Sequence, residues 1–169
     1  MKLLKTSVLI VFSIFMVSLI SSCSKDKEPF YSPAIKVRAL FVNSESVVDT
    51  KTPIAVGDTL KMPISLEGYI HDIEYFHIKM DREYAQESIL QKDFLEYCDP
   101  LYTNAEEGLY YFKPGVQNMN LTLLIIPKKA KEDEKSGIPV SLSLKSNCNT
   151  GDEYNPFYLN FNYFITNKK

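Results

Sequence analysis

Leu60-Lys61-Met62-Pro63-Ile64-Ser65-Leu66-Glu67 alternates apolar and polar side chains along its length. Consecutive side chains on a strand leave by opposite faces, so a period of two describes one buried face and one wetted face. The rhythm returns at Ile138, Val140, Leu142 and Leu144, and at Phe157, Leu159, Phe161, Tyr163 and Ile165. It also runs through Phe76, Ile78 and Met80, and through Ile35, Val37, Ala39 and Phe41. Leu121 to Ile126 is apolar on both faces and reads as a central strand. Pro63 and Pro139 cannot donate to a ladder, which assigns them to edge strands or to strand starts.

Turn chemistry separates these runs. Val56-Gly57-Asp58, Glu67-Gly68, Lys113-Pro114-Gly115 and the Gly151 region between Asn147 and Asp152 all punctuate the pattern. Seven or eight strands joined by polar turns predict an all-β, antiparallel sandwich of two layers. One stretch departs from it. Ile89, Leu90, Phe94 and Tyr97 suit one helical face, and Ser88 with Gln91 matches a capping box, so a short helix is expected over Ser88–Cys98. The charge-rich run from Lys128 to Gly137 reads as a solvated hairpin loop.

The chain opens with Lys2 and Lys5, then an apolar stretch from Val8 to Ile20. A bilayer-spanning helix needs about 20 apolar residues, and this run is shorter and contains Ser13 and Ser18. It reads as a removable signal peptide over residues 1–22. Its end, Leu19-Ile20-Ser21-Ser22-Cys23, resembles the lipobox of bacterial lipoproteins, with Ile20 where that family prefers Leu. The resemblance implies that Cys23 receives a diacylglyceryl thioether, becomes the new N-terminus and is acylated on its amine. Two or more chains, at about 0.8 kcal/mol per buried methylene, anchor stably where one does not.

Ser24-Lys25-Asp26-Lys27-Glu28 resembles the export tag of Bacteroidota surface lipoproteins, although Lys27 interrupts its acidic pair. That likeness implies an outer-membrane lipoprotein displayed on the cell surface; a periplasm-facing anchor is the alternative. Residues 23–34, with Pro29 and Pro33, form a lipidated tether that at about 3.3 Å per residue spans roughly 35 Å. The sandwich domain is expected over 35–169. Lipobox, tether and a single β-domain together resemble small Bacteroidales lipoproteins with immunoglobulin-like sandwiches, which implies that fold class here. Asp58-Thr59-Leu60 resembles the O-glycosylation pattern of secreted Bacteroidota proteins, which makes Thr59 a candidate modification site.

Without the leader the chain carries 17 Lys+Arg (19 less Lys2 and Lys5) against 21 Asp+Glu, a net charge of −4. A mildly acidic chain has no electrostatic case for nucleic acid. Cys98 and Cys148 remain once Cys23 is lipidated; in an oxidising compartment they are either a disulfide closing a loop of about 50 residues or two free thiols.

Catalytic signatures are sparse. On a strand His71 and His77 lie roughly 20 Å apart, and on a helix about 120° apart, so neither geometry lets them share an ion and no metal site is expected. The sequence has no Gly-x-Ser-x-Gly elbow and no glycine-rich phosphate loop, and Glu106-Glu107 reads as a turn beside Gly108. No enzyme and no cofactor is expected. The remaining feature is tyrosine: Tyr97, Tyr102, Tyr110 and Tyr111 cluster in a loop-rich stretch, and such residues offer apolar area with a polar handle for a ligand. Alternation requires Tyr110 or Tyr111 to face away from the core. The expected function is a membrane-anchored, non-enzymatic module that binds a protein or glycan. The alternatives are a structural envelope protein without its own ligand, and a hydrolase or hydrolase inhibitor.

Overall fold

The computed structural model describes residues 32–47, 49–130, 137–148 and 155–167. The leader, Cys23 and most of the tether lie outside the described residues, as do parts of the 128–137 and 147–152 loops. Within the described residues the chain is built of strands: β1 Ala34–Val37, β2 Leu40–Val42, β3 Glu45–Val47, β4 Ile54–Ala55, β5 Leu60–Glu67, β6 Ile73–Met80, β7 Ala85–Ile89, β8 Leu109–Tyr111, β9 Asn118–Pro127, β10 Ile138–Ser146, β11 Phe157–Tyr163 and β12 Ile165–Thr166. One sheet runs β3-β2-β5-β9-β7, with β1 also on β5; the other runs β11-β10-β6-β8. Both are antiparallel. A small parallel pair, β4 with β12, lies outside them. The all-β sandwich expected from the alternation is what the chain forms, divided into more and shorter strands.

The core is the sum of the alternating faces. Leu60, Met62, Ile64 and Leu66 of β5 face Phe76 and Ile78 of β6 and Leu142 and Leu144 of β10, all at most 1 % exposed. Leu121, Leu123 and Ile125 of β9 complete the layer, and β9 is central, between β5 and β7, as its two-sided apolar run predicted. At about 25 cal/mol per Å² of apolar surface removed from water, these interdigitated faces carry most of the folding free energy.

Two expectations are corrected, and one open alternative is decided. First, Pro63 lies in an interior strand, paired with β9 on one side and with β1 and β2 on the other. Its carbonyl accepts from Arg38 N (2.9 Å), so its donor-less nitrogen faces the same flank. That flank is the break at Arg38 and Ala39 between β1 and β2, where no ladder bond is needed. The break also shifts the phase: Ile35 packs inward in β1, but Leu40 and Val42, instead of Ala39 and Phe41, pack against the core in β2. Pro139, by contrast, does sit at a strand start, just before β10 begins to pair with β6 at Val140.

Second, the expected helix over Ser88–Cys98 does not form. β7 extends to Ile89, and only Phe94–Tyr97 winds into a short 3₁₀ turn. The Gln91 side chain takes over the ladder: its Oε1 accepts from Thr122 N at 2.8 Å and its Nε2 donates to Thr122 Oγ1 at 3.4 Å. Tertiary pairing with β9 outcompetes the helical period here.

Of the two alternatives open for Cys98 and Cys148, the chain takes the second: both are buried free thiols. Cys98 pairs with Phe112 beyond β8, while Cys148 follows β10, so three strand spacings, about 14 Å, separate them. A disulfide requires Cα atoms within about 7 Å.

Candidate functional site

The four-stranded sheet presents a solvent face that can be read directly from its register. Lys145, Tyr75 and Tyr111 form one cross-strand row, and Tyr158, Ser143, His77 and Leu109 form the next. Asn160, Ser141 and Lys79 form the third. Facing residues on neighbouring strands stand about 5 Å apart, which brings the aromatic rings into contact. The rings of Tyr75 and Tyr111 are 5.6 Å apart, tilted by 55°, and those of Tyr111 and Tyr102 are 6.0 Å apart at 57°. Tyr158 is 58 % exposed and Tyr102 66 %.

Local structure places each of these residues. A bulge between Lys145 and Ser146 inserts Glu74, so Ile73 turns inward while Lys145 reaches Glu74 at 2.8 Å. Tyr102 stands on a turn closed by Asp99, whose Oδ1 accepts from Leu101 N at 2.9 Å and whose carbonyl accepts from Thr103 N at 3.0 Å. Thr103 Oγ1 in turn accepts from Tyr111 N at 3.1 Å, locking the turn to β8. The same turn holds Leu101 84 % exposed. A large apolar side chain held in water on a hydrogen-bonded turn, next to a row of tyrosines, is the surface on which recognition residues concentrate.

The electrostatics are mild. Burial, then the neighbouring Tyr158, hold the Tyr75 phenol above its ordinary 10.0, against the pull of Lys145. The pair with Glu74 holds the Lys145 ammonium above 10.5. At neutral pH Tyr75 is therefore a neutral hydroxyl, and Lys145 is charged beside its carboxylate.

Of the four tyrosines singled out from sequence, the sheet brings together Tyr102 and Tyr111. Tyr110 is corrected: it is 6 % exposed, packed edge-on against Phe94 at 5.0 Å, and belongs to the core. Tyr97 lines a separate groove of about 440 Å³ with Phe94, Val116 and Asn118. Tyr75, Tyr158 and Leu101 were not singled out as ligand-facing in the sequence. The outward phase of Tyr75 and Tyr158 was legible; that β6, β8 and β11 share a sheet was not.

A hollow of about 680 Å³ adjoins the third row, lined by polar residues such as Lys79, Ser141 and Asn160 and by the apolar Met80, Val140 and Phe161. The outer face of the other sheet is different in kind. There Arg38 donates to Ser65 Oγ (2.9 Å) and to Asn120 Oδ1 (2.7 Å), so its polar groups satisfy one another.

Thr59 precedes β5, half-buried, with its backbone bonded in both directions to Asn43. Among the described residues no group of three or more His, Cys, Asp or Glu side chains could hold a metal, and no helix is long and apolar enough to cross a membrane. No protein-family model matches the chain, and no curated protein is similar enough to it to count as a match.

Proposed function

We propose that this protein is a non-enzymatic binding module, anchored by lipid at Cys23 to the outer membrane and facing outward, that recognises a protein partner through the tyrosine face of its four-stranded sheet. The observation that carries the reading is the Tyr102–Tyr111–Tyr75 ring contact series, with Tyr158 and the exposed Leu101 beside it. Tyrosine brings large contact area at a small loss of side-chain freedom, and apolar anchors ringed by polar groups dominate protein interfaces. The leader, the lipobox-like run ending in Cys23 and the charged segment after it support the anchorage. An immunoglobulin-like topology is supported by the strand orders β1-β5-β9-β7 and β11-β10-β6, which parallel the A-B-E-D and G-F-C sheets; β8, arriving after β7 to pair with β6, is an addition to that scheme.

A glycan partner is the second reading, favoured by the hollow beside the third row, where the polar side chains of Lys79, Ser141 and Asn160 adjoin apolar surface. Site-specific photo-crosslinkers at Tyr102 and Tyr158, with Lys61 on the opposite sheet as control, test the proposal in intact cells. A discrete protein adduct from positions 102 and 158, absent at 61, is the expected result. Equal crosslinking at all three positions overturns the assignment of the face, and retention on a glycan array without any protein adduct moves it to the second reading. Mass spectrometry that finds Cys23 unlipidated, or protection from added protease on intact cells, overturns the anchorage or the outward orientation.

A further inference from the structure

The sandwich has five edge strands, and the sequence treats them differently. β1 is four residues long and carries Lys36. β3 is three residues long and carries Glu45. β7 carries Glu87, an inward-pointing carboxylate with 5 % side-chain exposure, ion-paired to Arg82. β8 is covered by the Cys98–Phe112 and Asn104–Leu109 bridges. These are three standard ways of blunting an edge against foreign strands. β11 has none of them among the described residues: Phe157-Tyr158-Leu159-Asn160-Phe161-Asn162-Tyr163 is seven residues without a charge, a proline or a glycine.

The backbone groups at this edge can be identified. Ile78 N donates to Gly108 O, so even-numbered residues of β6 bond toward β8 and odd-numbered ones toward β10. Carried through the registers, Ser141 and Ser143 bond toward β6, and Val140, Leu142 and Leu144 toward β11. Phe157, Leu159 and Phe161 therefore face β10, which leaves the N–H and C=O groups of Tyr158, Asn160 and Asn162 at the free edge.

We infer that the β11 edge pairs with the β11 edge of a second copy, antiparallel across a twofold axis at Asn160. The outward-bonding set 158, 160 and 162 is symmetric about residue 160, so this register places Asn160 opposite Asn160 and Tyr158 opposite Asn162 and satisfies every free group of the edge. On the inner face it sets Leu159 opposite Phe161 and Phe157 opposite Tyr163, apolar against apolar, and Phe157, Leu159 and Phe161 are only half-buried in one copy. An uncharged strand meets itself without like-charge repulsion, which is the complementarity an isologous contact requires. The two four-stranded sheets become one continuous sheet of eight, with both tyrosine faces on the same side. The inference does not depend on the proposed partner.

The test uses the full chain. Across an antiparallel hydrogen-bonded pair the Cα atoms are about 5.5 Å apart, within disulfide reach, whereas two Asn162 residues would be about 14 Å apart. Under mild oxidation Asn160→Cys is expected to give a reducible dimer that neither wild type nor Asn162→Cys gives. Sedimentation in detergent is expected to show a dimer for wild type and at least a tenfold weaker association for Asn160→Lys, with an unchanged circular dichroism spectrum. A monomeric wild type, equal crosslinking at 160 and 162, association that survives Asn160→Lys, or a 160 adduct to a different protein would each overturn the inference.

Discussion

Replacing Tyr163 with phenylalanine should make the domain more stable. Tyr163 is 0 % exposed, and its hydroxyl has no hydrogen-bond partner among the described residues. A buried polar group left unsatisfied costs about 1–3 kcal/mol relative to the unfolded chain, where water solvates it. Removing the oxygen leaves a space smaller than a methyl group, and at about 24 cal/mol per Å³ of cavity the packing loss is a few tenths of a kcal/mol. The net gain is about 1 kcal/mol, or roughly 3–5 °C in Tm for a domain of this size. Urea titration of the chain lacking residues 1–23, followed by tyrosine fluorescence and circular dichroism, reads it as a higher midpoint at unchanged slope. Tyr111→Phe, which removes a hydroxyl from a half-buried surface position, serves as control and should stay within about 0.5 kcal/mol of wild type. The pH dependence adds a second readout. Burial pushes the Tyr163 phenol above its ordinary 10.0, so the unfolded chain ionises first and wild type loses stability as pH rises past 10, a loss that Tyr163→Phe should lack. A variant that is less stable than wild type by 1 kcal/mol or more would refute the reasoning, because it would mean that the hydroxyl is bonded.

The other predictions concern the closure between the sheets and the buried thiol. Gly108→Ala should cost about 2–4 kcal/mol, since the residue sits at φ +70° and a Cβ would meet Ile78 O at 2.6 Å; a change under 0.5 kcal/mol in the same titration would contradict this. Arg82→Ala strands the Glu87 carboxylate and should cost about 2–4 kcal/mol, less than a fully buried pair because Arg82 is 36 % exposed; adding Glu87→Leu should recover most of it, and a purely additive double mutant would exclude the pairing. Burial pushes the Cys98 thiol from 9.0 up to about 11, so the protonated form is the one folding favours. Its contribution is complete below pH 9 and is lost as pH climbs toward 11, a decline of about 2–3 kcal/mol that Cys98→Ala should lack. Native Cys98 should also alkylate at pH 7 at least a hundredfold more slowly than an unfolded thiol; labelling at the unfolded rate would show the site to be open.

Where sequence and structure diverge, they do so through pairing. The phases of β5, β10 and β11 follow from alternation because each strand buries one face over at least seven residues, whereas β9, apolar on both faces, was legible only as a central strand. β2 and β3 were not separable from sequence. Their hairpin turns at Asn43 and Ser44, both at positive φ (50° and 85°), without the glycine that marks such a turn. Ser88–Cys98 carries a helical period in its apolar residues, but β9 offers an unfilled edge, and Gln91 extends the ladder with its side chain in place of its backbone. The candidate site was half legible. Tyr102 and Tyr111 are near one another in sequence, and the Tyr110–Tyr111 choice was correctly reduced to one inward and one outward residue. Tyr75 and Tyr158 reach the same face from strands 27 and 56 positions distant from Tyr102, and only the sheet order brings them there.

Alternation by itself determined the fold class, the core-facing residues of β5, β6, β10 and β11 and the outward phase of their surface residues, because the side-chain period of a strand is local and burial selects one face. Tertiary structure decided which strands lie side by side, and with that the tyrosine face, the free thiols of Cys98 and Cys148, and the unprotected edge at β11. The backbone hydrogen bonds that pair strands are alike at every residue except proline. Register and order are therefore set by how whole faces pack together, which no single stretch of sequence contains.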